Sequence, residues 1–185
     1  KKEGRTVLYV SHNMNTIRQL CDRCIVLDKG KVVFEGDVES AIGVYMGRQM
    51  NESTYQTYVD YIRPKWLRSQ AIKTLEASFP NKDSIHFEAN EPIQLKLKWE
   101  YLKNVSGAGM RLEIWNTLDV PQGTYVLYDL FSGKAGDVSE ITFELDTSML
   151  MDAEYKTYIT FFHKDEFGNH QDLDCVPGLW FQKTT

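Results

Sequence analysis

Hydrophobic and polar positions alternate with a period of two through the later two-thirds of the chain. Ile93, Leu95, Leu97, Trp99 and Tyr101 interleave with Gln94, Lys96, Lys98 and Glu100, the pattern of a half-buried strand. Met110, Leu112 and Ile114 interleave with Arg111, Glu113 and Trp115 in the same way. Further strands are predicted over 72–79, 84–89, 123–131, 138–145, 154–163 and 178–183. Turn-forming residues separate them: Pro80-Asn81, Asn90-Glu-Pro92, Ser106-Gly107, Pro121-Gln-Gly123, Ser132-Gly133, Gly168-Asn169 and Pro177-Gly178. Short strands with turns between them and no helical period predict an antiparallel, immunoglobulin-like β-sandwich over residues 71–185.

The first part is patterned differently. The apolar run Val7 to Val10 reads as a buried strand, and Ser11-His12-Asn13 after it suits a helix start. A helix is predicted over 13–22, a strand over 24–28, a tight turn at Lys29-Gly30 and a returning strand over 31–35. Asp37 then caps a helix whose apolar face is Val38, Ala41, Ile42, Tyr45 and Met46, stopping at Gly47. His12 falls just past the carboxyl end of a strand, where open α/β sheets meet their ligands and an imidazole can reach a phosphate. A cap or packing role is the alternative for one such histidine. Residues 48–70 read as a linker, with Tyr55, Tyr58, Val59 and Ile62 at the spacing of a short amphipathic helix ended by Pro64.

The text VLYVSHNMNTIRQLCDRCIVLDKGKVVFEGD resembles the C-terminal end of an ABC-transporter ATPase domain over about residues 6–47. That resemblance implies that His12 is the switch histidine of the H-loop, touching the γ-phosphate of ATP at a dimer interface. The later half, through Ile85-His-Phe87, Asn90-Glu-Pro-Ile93 and Leu150 to Tyr155, resembles the carbohydrate-binding domain of polysaccharide-exporter ATPases of the O-antigen and teichoic-acid (Wzt-like) type. Together they imply a mainly β chain: a truncated α/β remnant over 1–47, a linker over 48–70, and a sandwich over 71–185. No Walker A loop is present, and the Walker B strand end and signature loop are also missing, so this stretch alone is expected neither to hydrolyse ATP nor to hold a cofactor. The longer protein is expected to use ATP and magnesium. It would work as a homodimer with a membrane-spanning permease, at the cytoplasmic face of a bacterial membrane, on a polysaccharide such as a lipopolysaccharide O-antigen.

Composition narrows the partners. Residues 1–50 carry eight Lys/Arg and six Asp/Glu, the remainder thirteen and twenty. So acidic a second half argues against nucleic acid or anionic lipid and for a neutral ligand or a protein. No apolar run approaches the ~20 residues a membrane helix needs, and the start lacks a signal peptide's features. Cys21-Asp-Arg-Cys24 bridges a helix end and a strand, with no second ligand pair for zinc, and reads as structural. The acidic stretch Asp165 to Asp174 lacks calcium-loop spacing and reads as a solvated loop; no metal site is expected.

Sugar binding calls for flat apolar surfaces beside fixed polar groups. Alternation turns Arg111, Glu113 and Trp115 outward on one strand, and Tyr158, Thr160 and Phe162 outward on another. Trp180 is opposite in phase to Leu179 and Phe181. On one sheet these would form an aromatic, partly charged platform for the glycan. A structural dimerisation module and a glycan-processing enzyme with paired carboxylates remain alternatives.

Overall fold

The computed structural model describes residues 6–11, 14–49, 53–67, 69–165 and 167–184. The chain divides into two compact units, one of residues 1–51 with the loop 117–119, the other of 52–116 and 120–185.

In the first unit, helix α1 (Met14–Leu20) leads to a hairpin of β1 (Cys24–Asp28) and β2 (Lys31–Gly36), then helix α2 (Val38–Gln49). Lys29 and Gly30 both have positive φ, 47° and 78°, which is what a two-residue hairpin turn with the right-handed strand twist demands. Asp37 caps α2, its Oδ1 accepting from the Ser40 amide at 2.9 Å. Arg18 of α1 donates to both carboxylate oxygens of Glu39 in α2, at 2.8 and 2.9 Å. Met14, Ile17 and Ile42 form a small core, with Cys21, Cys24, Val38 and Tyr45 against it. The strand expected at Val7 to Val10 is not formed: Val7, Leu8 and Val10 are exposed. A buried parallel strand needs a neighbour on each side, and among the described residues no strand pairs with this run.

The second unit is a sandwich of two sheets. Its strands are β3 (Tyr55–Thr57), β4 (Ile72–Ser78), β5 (His86–Glu88), β6 (Ile93–Tyr101), β7 (Val105–Asn116), β8 (Pro121–Gly133), β9 (Val138–Leu145), β10 (Ala153–Lys164) and β11 (His170–Thr184). One sheet runs β3-β4-β6-β9, the other β5-β11-β10-β7-β8. Pairing is antiparallel throughout this unit except for the short parallel ladder of β5 with β11. The inward halves of the alternating strands meet in one core around Leu95, Leu97, Trp99, Met110, Leu112, Ile159 and Phe161. Trp99, Phe131 and Phe161 meet there with ring centroids 5.2 to 5.4 Å apart.

Three sequence expectations need correction. The helix expected in the linker is absent. Tyr55–Thr57 pairs with β4 instead, and Tyr58 is fully buried while Ile62 is 88% exposed, so the apparent helical stripe is not one face. Ser106-Gly107, Pro121-Gln-Gly123, Ser132-Gly133 and Pro177-Gly178 are not turns but lie within strands. Pro177 sits at a register shift between β10 and β11, where an irregular ladder tolerates the missing amide donor. The acidic stretch is a solvated loop only at its hairpin tip; from His170 it is strand, and Asp174 is fully buried.

Candidate functional site

The outer face of the five-stranded sheet is built by register. Directly paired residues share a face, so Trp115, Lys156 and Trp180 form one row across β7, β10 and β11. Glu113, Tyr158 and Pro177 form the next, then Arg111, Thr160 and Cys175, then Gly109, Phe162 and Asp172. With strands about 4.8 Å apart, Trp115 and Trp180 stand about 10 Å from each other with Lys156 between them. All seven sheet residues expected on the platform therefore lie on one face of one sheet.

Their side chains are interlocked. Arg111 donates to both oxygens of Asp172, at 2.9 and 3.1 Å, and through Nε to Glu113 at 3.0 Å. The other Glu113 oxygen accepts from the Trp115 indole at 3.2 Å. The Trp115 ring meets Tyr158 edge to face at 6.3 Å, and Lys156 Nζ lies 6.0 Å from the Tyr158 centroid. Burial opposes the charge of Arg111, but the hydrogen bonds and charge of Asp172, with Glu113 behind them, outweigh it and hold the guanidinium above its ordinary pKa.

Two of the expected contact residues are covered. Thr160 and Phe162 face outward yet are 2% and 1% exposed. The Phe162 ring lies over Gly109, where an added Cβ would meet Phe162 Cζ at 2.5 Å, and it stacks on His170 at 4.2 Å. Tyr128 closes on both rings, at 5.9 and 6.3 Å. The Thr160 hydroxyl is within 3.5 Å of Cys175 Sγ. Alternation assigns these two to the right face, but it carries no information about what leans over them. Trp115, Tyr158 and Trp180 are partly open, as are Arg111 and Glu113.

Sequence reasoning passed over Lys156, Asp172, His170 and Tyr128. Lys156 shares the phase of Tyr158 and was legible by the same alternation. Asp172 was hidden by the acidic stretch around it and by a register shift between Phe161 and Phe162.

His12 lies outside the described residues. Cys21 and Cys24 are free thiols against the small core of the first unit. Burial, with Cys21 beside it, raises the Cys24 thiol above its ordinary pKa. Among the described residues no group of three His, Cys, Asp or Glu side chains is placed to hold a metal ion. No helix among them is long and apolar enough to cross a membrane.

No protein-family model matches the chain. It is 30% identical over 77 residues to "Methionine import ATP-binding protein MetN 1" of Shouchella clausii, covering 42% of this chain and 21% of that protein. It is 44% identical over 39 residues to an uncharacterized ABC transporter ATP-binding protein, MJ1023, of Methanocaldococcus jannaschii, covering 21% and 15%. The matches thus span about a fifth or less of these relatives' length. Among solved structures, the C-terminal domain of wzt superposes with a TM-score of 0.54 at 13% identity, covering 70% of this chain and 83% of that one. The chain is similar to ABC-transporter ATP-binding proteins over part of its length, and it shares the β-sandwich fold of the wzt C-terminal domain over most of it.

Proposed function

We propose that this chain belongs to the ATPase subunit of a polysaccharide ABC exporter, and that the outer face of its five-stranded sheet binds the exported glycan. The observation that carries the reading is the row of Trp115, Lys156 and Trp180, continued by Tyr158 and braced by Arg111, Glu113 and Asp172. The aromatic surfaces suit the apolar faces of a sugar ring, and the ammonium, guanidinium and carboxylates suit its hydroxyls. Two cations and two carboxylates in this patch leave it close to neutral, which fits an uncharged polymer better than a phosphate chain.

Binding rather than hydrolysis is the reading the geometry favours. Glycoside cleavage uses two carboxyl groups facing each other across a cleft. Glu113 and Asp172 instead hold one guanidinium from two sides, on a sheet face. In the longer protein we assign the sensing of the ATP γ-phosphate to His12, with residues 1–47 closing the ATPase domain. The homodimer, the permease and the position at the inner face of a bacterial membrane belong to the same proposal. Selection of finished chains by the sandwich would then couple recognition to transport.

The test is a printed array of neutral, N-acetylated and acidic oligosaccharides, followed by titration of the strongest ligand. Trp115→Ala and Tyr158→Ala should each weaken that ligand about tenfold while the melting temperature holds. Unchanged affinity in both variants removes the face from consideration. A dimerisation module is the second reading, because β8 is an edge strand with Tyr128 and Leu130 exposed. Sedimentation of a Leu130→Lys variant separates the two readings: lost dimers with no glycan bound by the parent chain would favour the second.

A further inference from the structure

The outer face of the five-stranded sheet repeats one arrangement at its two ends. At the first, the Trp115 ring meets Tyr158 edge to face at 6.3 Å, with Lys156 Nζ 6.0 Å from the Tyr158 centroid. At the other, Tyr128 of β8 meets Phe162 and His170 edge to face at 5.9 and 6.3 Å, with Lys164 Nζ 5.9 Å from the Tyr128 centroid. Each end offers a tyrosine ring propped on neighbouring rings, with an ammonium beside it. Lys164 and His170 are paired in the ladder of β10 with β11, and both are exposed.

The backbone prepares this second end. Gly109 has no Cβ, and the Phe162 ring takes the space that one would fill. Phe162 in turn stacks on His170, with the ring planes 17° apart. On β8, Phe131 pairs with Ala108 and Leu127 with Met110, so residues 128–130 stand opposite Gly109 alone. Asp129, in the middle of them, has a positive φ of 55°. Such a bulge re-aims side chains, and here Tyr128 is brought onto the Phe162 ring while staying 53% exposed. Buried Phe162 offers a ligand no surface of its own; it is the base on which Tyr128 and His170 are presented.

The two ends are well separated. Lys156 and Lys164 are eight residues apart on β10, about 26 Å at the rise of a strand. Between them lie the partly open side chains of Arg111, Glu113 and Asp172. We propose that Tyr128, with His170 and Lys164, forms a second sugar subsite, so that the face takes an extended stretch of glycan and not a single terminal unit. The proposal rests on the glycan reading above. Two subsites on one sheet hold a chain that reaches both more tightly than either holds it alone.

The experiment uses the full chain and a length series of oligosaccharides built on the strongest ligand from the array. Affinity in the parent should step up about tenfold once the ligand is long enough to span both ends. Tyr128→Ala should remove that step yet stay within about twofold of the parent on the shortest ligand, whereas Trp115→Ala weakens the shortest ligand too. Tyr128→Phe should keep the step, because the ring is the contact, and Lys164→Gln should lower the longest ligand's affinity about threefold. Thermal melting of each variant identifies a loss that comes from misfolding. Affinity that is flat with length, or a step kept in Tyr128→Ala, overturns the second subsite and leaves the glycan reading to Trp115→Ala. A dimer of the parent chain that sediments as monomer in Tyr128→Ala gives the ring to subunit association and overturns it as well. Failure of the parent chain to bind any sugar overturns both.

Discussion

Replacing Arg63 by leucine tests what holds the segment between β3 and β4 to the sandwich, where Arg63 clamps it by donating to the carbonyls of Tyr58, Tyr61 and Thr74. Arg63 and Asp174 are 9% and 0% exposed, so the discount that applies to surface ion pairs does not apply here. Asp174 accepts from Arg63 at 3.0 and 3.3 Å and from the Thr74 amide at 2.6 Å, and the substitution removes its only charge partner in this network. Stripping one partner from a buried pair costs about 3–5 kcal/mol, because the remaining charge is left desolvated and uncompensated. For a unit of this size that corresponds to a fall of roughly 10–20 °C in melting temperature. Removing the carboxylate as well should recover part of the loss: Arg63→Leu with Asp174→Leu is expected to be more stable than Arg63→Leu alone, since no lone charge remains. All four tryptophans lie in the second unit, so urea unfolding followed by tryptophan fluorescence reports on it directly. An Arg63→Leu chain within about 1 kcal/mol of the parent, or a double variant weaker than the single, would refute the clamp.

Three further outcomes follow from the same contacts. Lys183, 2% exposed, donates to Ala89 O at 2.5 Å and to Thr147 O and Oγ1 at 2.9 and 3.1 Å; Lys183→Met should cost about 2–4 kcal/mol in urea unfolding by leaving those buried acceptors unpaired. Asp165 closes the β10–β11 hairpin by accepting from the amides of Phe167 and Asn169 at 2.9 and 2.8 Å, and the Asn169 side chain, with that backbone, holds its pKa below the ordinary 3.8. A lowered carboxylate stabilises fully above its unfolded pKa and loses the effect as pH falls through the folded one, so the Asn169 amide shift should stay constant at neutral pH and move only below about pH 4. Glu113→Ala frees the Trp115 indole while Arg111 keeps both bonds to Asp172; ligand affinity should fall roughly two- to tenfold, as an entropic loss in calorimetry.

The sandwich was legible because alternation is a local property. Ile93–Tyr101 and Val138–Leu145 emerge from the sequence with the bounds the structure has. In the first unit, the Lys29-Gly30 turn and the Asp37 cap are equally local, since each is set by one or two residues. Long-range pairings were not legible. Asp174 lies 111 residues from Arg63, and Asp172 lies 61 from Arg111, so nothing near either acid marks it as structural. The three-residue strand at Tyr55 is too short to show a period, and Tyr58 and Ile62 shared a helical spacing by coincidence. The proposed binding face lies between these cases. Period two predicts which side each residue takes, but the cover over Phe162 comes from Tyr128 and His170, on two other strands.

Placement on strands has a consequence for binding strength. A contact surface assembled from loops must be ordered when ligand arrives, at about 0.5–1.5 kcal/mol for each flexible side chain immobilised. Here the ladder fixes the backbone under Trp115, Tyr158 and Trp180, and Glu113 holds Trp115 while Asp172 holds Arg111 before any ligand is present. Two side chains fixed in advance spare about 1–3 kcal/mol, a factor of roughly five to a hundred in affinity. On the proposed reading, a modest patch of aromatics would then suffice to grip a flexible, uncharged polymer whose own ordering is costly. Rigidity in the sheet is thus what would allow the proposed face to hold a weakly featured ligand.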